Sequence, residues 1–194
     1  MDEKIAKQVL EDVSGAVGLE EGTEGIRKIL RFVCRFEPVP LHDLSRAVMI
    51  PVPVVSAVRR ELEKRNICSR KSGIVLTQKG KMLLQAIGIY SSKLPELRLE
   101  YSVPEWLGPV AKRFRSIQEL RPAPDFTLDQ SHVDSETSAL RSAYLYEHDA
   151  LDGRDLIFLG DDDLTSLAVC LLSSEYDLNI GTITVVDVDA RILG

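Results

Sequence analysis

The sequence predicts two domains of different fold class: an N-terminal winged helix-turn-helix of the α+β class, and the first part of a Rossmann-like α/β domain. The first prediction comes from apolar residues at helical spacing, followed by a hairpin turn signal, within residues 1–90. The second comes from a buried strand, a helix and another buried strand in succession within residues 121–194. Charge supports the division, because residues 1–90 carry 15 Lys/Arg against 11 Asp/Glu, whereas residues 91–194 carry 9 against 19.

The N-terminal domain is predicted to be a set of helices followed by a hairpin. Periodic apolar residues indicate helices, which lie near 3–13, 25–36, 41–49 and 53–65. The Gly- and Glu-rich residues 15–25 are expected to form a loop. Lys71, Ser72 and Gly73 form a hairpin turn signal, and Thr77 can cap a last helix. Three helices and a hairpin in this order are typical of a winged helix-turn-helix.

Basic residues concentrate on the helix near 53–65, which is the third helix of the winged-helix motif, and on the hairpin that forms its wing. They are Arg59, Arg60, Lys64 and Arg65 on the helix, with Arg70 and Lys71 on the wing. Such a surface can neutralise DNA phosphates, which predicts a DNA-binding regulator as one alternative function. The other reading is a solvated helix face in a domain used for dimerisation, and this reading is favoured over DNA binding.

The second half is predicted to begin with a linker and a connecting helix in residues 91–120. Asp134 can cap a helix over 135–148, whose Leu140, Ala143, Tyr144 and Leu145 are expected to face a core. Apolar runs at 155–160 and 182–187 indicate buried parallel strands, and a helix over 164–172 joins them. Residues 121–194 therefore form the first part of a Rossmann-like domain.

This second domain is expected to be incomplete. Two parallel strands leave unpaired edges and offer too little sheet to shelter Ile157, Phe158, Val185 and Val186. The alternative is a small two-stranded domain that is protected by the helices near 110–120 and 135–148.

Three carboxylates occupy the turn after the first of these strands. In a doubly wound fold, Gly160, Asp161, Asp162 and Asp163 would lie at the ligand position outside the carboxyl end of the strand. The carboxylates would repel a phosphate and attract a cation, and their mutual repulsion favours a raised pKa suited to a general base. The alternative is that Asp163 caps the next helix while the other two face solvent.

Other polar residues give weaker signals. Asp187 ends the second strand, where such folds hold ribose hydroxyls, whereas Asp189 is expected to cap a helix. The three cysteines and three histidines have no metal-ligand spacing, so no metal site is predicted, and Cys170 is expected to pack in a core. Scattered cysteines and the lack of a signal peptide or membrane-length apolar run predict a cytoplasmic protein without membrane association.

Several motifs resemble the branched-chain polyamine synthases, the N4-bis(aminopropyl)spermidine synthases. They are Arg121-Pro-Ala-Pro, Leu128-Asp-Gln, Glu136-Thr, the string from Phe158 to Ala168, and Val185-Val-Asp-Val-Asp. The resemblance implies a catalytic domain like that of class I methyltransferases. It also implies transfer of an aminopropyl group from decarboxylated S-adenosylmethionine, a co-substrate rather than a cofactor, to the secondary amine of spermidine.

The resemblance also implies roles for individual residues. Asp162 corresponds to the proposed base, with Asp161, Asp163, Asp129 and Gln130 as substrate-binding residues. Gly160 and Asp187 would bind the nucleotide donor, and a homodimer is expected from the family. An acidic pocket suits these substrates, because decarboxylation leaves the donor a sulfonium and an ammonium, and the acceptor is a polycation.

The sequence departs from the family in two ways. Residues 88–110 contain no cysteine pair, and no downstream Asp-Pro-Pro motif is present. We therefore expect this polypeptide alone to be inactive. A methyltransferase that uses intact S-adenosylmethionine is the remaining alternative.

Overall fold

The computed structural model describes residues 1–70, 72–89, 94–95, 97 and 103–193. They form two compact units, Met1–Ser91 and Ser92–Gly194, each with its own apolar core. In these described ranges, no single helix is long and apolar enough to cross a membrane. The pair Leu41–Val48 and Val52–Lys64 passes that test by length and composition, but it is bent by 112°.

The first unit is helical with one small antiparallel sheet. Its elements are α1 (Glu3–Val17), α2 (Gly22–Phe36), α3 (Leu41–Val48), α4 (Val52–Lys64), β1 (Cys68–Arg70), β2 (Ile74–Leu76) and α5 (Gln78–Ala86). β1 pairs with β2, and Val39 adds an isolated bridge to Ile74. The predicted helices and hairpin are present, although Lys71 in the hairpin turn lies outside the described residues.

The loop predicted over 15–25 is much shorter in the structure. Helix α1 continues to Val17 and ends at Gly18, whose left-handed backbone (φ 59°) lets its N–H bond the carbonyls of the last turn. Helix α2 already begins at Gly22. Leu19 is buried against Gly25, where an added Cβ would lie 2.7 Å from the Leu19 Cδ2 atom. Gly25 therefore serves close packing inside a helix rather than a turn.

The second unit contains helices and a two-stranded parallel sheet. Its elements are α6 (Gly108–Gln118), α7 (Ser135–Glu147), β3 (Leu156–Leu159), α8 (Thr165–Tyr176), β4 (Ile183–Val186) and α9 (Ala190–Leu193). Single 3₁₀ turns lie at Glu105–Leu107 and Phe126–Leu128. β3 and β4 pair in parallel from Leu156↔Ile183 to Leu159↔Val186, so the predicted strand–helix–strand succession is present. Helix α6, assigned by sequence to the connecting segment, packs against α7 and α8.

The parallel sheet is covered on one face only. Leu156, Phe158 and Ile183 pack against the core formed by α6, α7 and α8. On the opposite face, Ile157 is 69% exposed and Val186 is 53% exposed. The expectation that these two side chains lack shelter is confirmed, whereas Phe158 and Val185 are half-buried. Since parallel sheets normally have both faces covered, the open face is an apolar surface that helices do not shield in this structure.

Candidate functional site

The turn between β3 and α8 has a fixed backbone. Gly160 takes a left-handed conformation (φ 73°), and its N–H donates to the Val186 carbonyl over 2.9 Å, which extends the ladder by one bond. Leu164 is also left-handed (φ 54°), and its N–H donates to the Asp161 carbonyl over 2.8 Å. A non-glycine residue in this region is strained and is held only by its surroundings. The three carboxylates between these two residues are therefore presented in a defined order.

Asp161 holds the start of α8. It is buried, and its carboxylate accepts hydrogen bonds from the Ser166 N–H, at 3.2 Å and 3.3 Å, and from the Ser166 hydroxyl. Burial raises the pKa of Asp161, while the hydrogen bonds from Ser166 and Thr165 act in the opposite direction. The capping role that the sequence alternative gave to Asp163 thus falls to Asp161.

Asp163 is engaged by other parts of the unit. Its carboxylate accepts hydrogen bonds from the Arg141 guanidinium and, over 2.8 Å, from the Val133 N–H. Its carbonyl accepts from the Ser138 hydroxyl over 3.3 Å. Asp163 therefore ties the turn to α7, and its charge is balanced by Arg141. It does not face solvent without a partner.

Asp162 is the carboxylate of the turn that stays open to a ligand. Its Oδ2 atom accepts one hydrogen bond, from the Ser131 N–H over 3.2 Å. Its backbone carbonyl accepts from the Arg121 guanidinium over 3.1 Å. Within the part of the chain that the structure describes, no cation lies within ion-pair distance of the Asp162 carboxylate, although the nearby Arg121 guanidinium interacts with its charge. Of the three aspartates, Asp162 has the freest carboxylate.

Asp187 joins the end of β4 to this turn. One carboxylate oxygen accepts from the Asp161 N–H and the other from the Asp189 N–H, both over 2.8 Å. The two strand ends are thus brought together as the sequence predicts. Each oxygen keeps capacity for a further hydrogen bond, so the predicted ribose contact stays a prediction.

The Gln130 side chain contacts Asp125 and Asp189 rather than the carboxylates of the acidic turn. Gln130 is buried, and its Nε2 donates to Asp189 over 3.0 Å while its carbonyl oxygen accepts from the Asp125 N–H. Hydrogen bonds from Arg191 and then Gln130 lower the pKa of Asp189, which also accepts from the Arg191 N–H as a helix cap. Asp129 is exposed with φ 57°. The Gln130 side chain therefore holds Asp189 in place through a hydrogen bond.

A cavity of about 560 Å³ opens between α7 and the acidic turn, a size common among small-molecule sites. The turn and its flanks contribute Phe158, Gly160, Asp161, Asp162, Asp163 and Thr165, and α7 contributes Thr137, Leu140, Arg141, Tyr144 and Leu145. The sequence missed the α7 residues and placed Tyr144 in a core, whereas it is 47% exposed. Their spacing of three to four residues was the available signal, since it marks one helix face.

Neither a metal site nor a strongly basic helix emerges from the described residues. No three His, Cys, Asp or Glu side chains in those ranges are grouped to hold a metal ion. On α4, Arg59 pairs with Glu63 over 3.3 Å. Lys64 and Arg65 both pair with Glu61 over 2.5 Å. This pairing reduces the positive charge available to DNA phosphates and favours the solvated-face reading.

Residues 109–194 match the family model described as the branched-chain polyamine synthase A C-terminal domain. Over these residues, the chain is similar to the C-terminal domain of that family. This match confirms the resemblance that the sequence motifs indicated. The α7 face and the acidic turn of the candidate site both fall within the segment that matches the family.

Individual relatives agree with the family match. The chain is 30% identical to an uncharacterized protein of Methanocaldococcus jannaschii over 95% of its own length and 48% of the relative. It is 31% identical to an N(4)-bis(aminopropyl)spermidine synthase of Thermococcus kodakarensis over 77% of its length and 42% of the relative. The chain thus spans about half the length of the curated relatives it matches.

A solved branched-chain polyamine synthase is also similar. The Thermus thermophilus enzyme, in complex with N4-aminopropylspermidine and 5′-methylthioadenosine, is 25% identical and matches with a TM-score of 0.39. The match covers 99% of this chain and 53% of the Thermus chain.

Proposed function

We propose that this chain contains the part of an aminopropyltransferase site that binds the acceptor amine. In the proposed reaction, decarboxylated S-adenosylmethionine donates an aminopropyl group to the secondary amine of spermidine. The main observation behind this proposal is that Asp162 lines the cavity and that its carboxylate has no ion-pair partner among the described residues. The match of residues 109–194 to a branched-chain polyamine synthase domain supports the reaction class. The name of the Thermococcus kodakarensis relative, an N(4)-bis(aminopropyl)spermidine synthase, supports the substrate class.

The charges of the site fit a cationic ligand. Asp161 is used to hold α8 and Asp163 is balanced by Arg141, so Asp162 is the carboxylate that can pair with an ammonium group. Such a contact is worth up to about 4 kcal/mol at 4 Å and intermediate dielectric, before desolvation and solvent screening reduce it. A phosphate would meet the same carboxylates with repulsion, which disfavours an anionic ligand.

Asp162 also has the chemistry of a base. An alkylamine has a pKa near 10 and must lose a proton before it attacks. The amine nitrogen would bond the aminopropyl carbon next to the sulfonium, and the carbon–sulfur bond would break. Methylthioadenosine would leave with that electron pair, and the amine proton would pass to the Asp162 carboxylate. General base catalysis of this kind contributes about 10²–10⁴-fold.

The donor is proposed to lie on the β4 side of the same turn. Asp187 stands at the end of β4, where ribose hydroxyls are held in folds of this class, and it still has lone pairs to accept from them. Gly160 leaves the backbone open to a close approach, since no atom lies within 4 Å of where its Cβ would be. The donor is a co-substrate, and no further cofactor is needed for this chemistry.

Turnover is proposed to need more sheet than β3 and β4 supply. The uncovered face carries Ile157, Leu159, Val186 and Val188, which are all more than half exposed. In a complete Rossmann-like domain both faces of a parallel sheet are covered. A homodimer, a winged-helix fold for the first unit and a cytoplasmic location stay predictions.

Calorimetry on the purified chain tests the proposal. Spermidine should bind to the wild type and lose at least tenfold in affinity in Asp162→Asn, which keeps the size of the side chain but removes its charge. Decarboxylated S-adenosylmethionine should bind more tightly than S-adenosylmethionine, whose carboxylate the turn repels. Glu119→Gln removes one charge outside the cavity and should change neither affinity.

Three outcomes would overturn parts of this proposal. A preference for intact S-adenosylmethionine would favour methyl transfer. Robust product formation from spermidine and the decarboxylated donor by residues 1–194, followed by mass spectrometry, would show that the present sheet suffices. If Asp162→Asn retained that turnover, Asp162 would not be the base.

A further inference from the structure

Helix α7 forms an apolar wall on one side of the cavity. We propose that the methylene segment of the acceptor polyamine lies along this wall, and that Tyr144 sets the position of the next ammonium group. Tyr144 is thereby a specificity-determining residue for the length of the acceptor. The inference rests on the proposed function, because it places the acceptor in the site that Asp162 defines.

Helix α7 has two apolar faces, which is unusual for a helix at a surface. Ala139, Ala143 and Tyr146 form one face and are buried in the core of the second unit. Leu140, Tyr144 and Leu145 line the cavity, and Leu140 and Leu145 also pack partly against that core. A surface helix normally needs a single apolar stripe toward its core. The second stripe is therefore available to a ligand with an apolar part.

The other residues that line the cavity also suit a polyamine. Phe158 of β3 lines the cavity together with the α7 stripe, and Asp162 lies at the turn. Because Arg141 balances Asp163, the cavity offers a carboxylate for one ammonium group and then apolar surface. A molecule that alternates ammonium groups with short methylene spacers matches this order. Simple anions and uniformly polar ligands do not.

The same geometry favours the acceptor over the donor as the occupant. Asp187, the residue proposed to hold the ribose of the donor, is not among the residues that line the cavity, whereas Gly160 lines it at the point where donor and acceptor would meet. Its hydrogen bond to the Asp161 N–H places it at the β4 end of the turn. Donor and acceptor would then approach Asp162 from different sides, as transfer between them requires.

Tyr144 suits a second ammonium group. It follows Arg141 by three residues, so it lies roughly 4.5 Å further along the helix axis. Its ring lies against the His148 imidazole, with centroids 3.8 Å apart and planes tilted by 30°, and this contact restricts its rotamer. Aromatic faces attract alkylammonium groups, and a restricted ring loses little freedom when it binds one. The ring, rather than the hydroxyl, carries the proposed interaction.

Calorimetric titration with two amines tests whether the α7 wall contacts the acceptor. Spermidine and propylamine are titrated into the wild type, Tyr144→Ala, Tyr144→Phe and Leu145→Ala. Tyr144→Ala should weaken spermidine about tenfold and leave propylamine unchanged, because propylamine has a single ammonium group for Asp162. Tyr144→Phe should retain the affinity of the wild type. Leu128→Ala, an exposed leucine outside the cavity, should change nothing.

These titrations distinguish a wrong assignment of the α7 wall from a wrong proposed function. If Asp162→Asn abolishes spermidine binding while Tyr144→Ala and Leu145→Ala leave it intact, the wall is wrong and the proposed function stands. If Tyr144→Ala weakens 5′-methylthioadenosine instead of spermidine, the cavity is the donor site and the inference is overturned. Absence of spermidine binding to the wild type would overturn both. Melting curves of each variant establish that it is folded.

Discussion

The Asp187 carboxylate accepts a hydrogen bond from the Asp161 N–H over 2.8 Å, so the end of β4 holds the turn that follows β3. The other Asp187 oxygen accepts from the Asp189 N–H. One side chain thus joins the two segments proposed to bind the donor and the acceptor. The acidic turn is therefore held by side-chain contacts as well as by the parallel ladder.

Asp187→Ala is expected to destabilise the second unit and weaken donor binding. Two backbone N–H groups lose their acceptor, and an unsatisfied buried donor costs about 1–3 kcal/mol. Asp187→Asn keeps one acceptor oxygen and should cost less. Urea unfolding and calorimetry with 5′-methylthioadenosine measure the two effects. Wild-type stability in Asp187→Ala would contradict the bridging role.

Arg141→Gln is expected to tighten spermidine binding by about three- to tenfold. The substitution leaves the charge of Asp163 unbalanced and makes the cavity more negative, while a partly exposed ion pair contributes at most about 1 kcal/mol to stability. The gain should shrink as salt is raised, because screening weakens it. Weaker binding at low salt would mean that Arg141 holds the turn in its binding geometry.

Gly80 and Gly15 are expected to respond in opposite directions to alanine. A Cβ on Gly80 of α5 would lie 2.1 Å from the Ile67 carbonyl oxygen, which is backbone and cannot yield easily. Gly80→Ala should therefore destabilise the first unit by about 1–3 kcal/mol. Gly15→Ala meets no atom within 4 Å in α1 and should stabilise it by about 0.5–1 kcal/mol. Thermal unfolding of both variants provides the comparison.

Cys68 is expected to make the first unit less stable at alkaline pH. Burial raises the pKa of the Cys68 thiol from 9.0 to about 12. Between these values the unfolded thiol ionises while the folded thiol keeps its proton. Stability is therefore fully present below pH 9 and falls as pH rises toward 12, by at most about 1.4 kcal/mol per pH unit. Chemical unfolding compared with Cys68→Ala isolates this contribution, and parallel pH profiles would exclude it.

Local patterns allowed the sequence to predict the helices of the first unit and the strand–helix–strand succession. Apolar spacing marked α2 and α4, and a continuous apolar run marked β3. Gly18 and Gly25 misled the prediction because both were treated as loop residues. Gly18 ends a helix through local hydrogen bonds to its last turn, whereas only packing shows that Gly25 accommodates Leu19.

The acidic turn could be predicted from the sequence. Which of its three carboxylates are already paired, and which one stays available, could not. Capping by Asp161 depends on Ser166 and the left-handed Leu164, and balancing of Asp163 depends on Arg141 from another helix. Such contacts are set by the packing of α7 on α8. Cys170 shows the same limit, since it was expected in a core and is exposed. The low amphipathicity of α7 hid its second apolar face.

The most direct test of the account is an amide NMR titration of the chain with spermidine. Because the Ser131 N–H donates to the Asp162 carboxylate, its resonance should shift together with those of residues 160–163 and 140–145. These shifts should vanish in Asp162→Asn. Shifts confined to α4 or the open sheet face, or larger shifts with phosphate than with spermidine, would contradict the account.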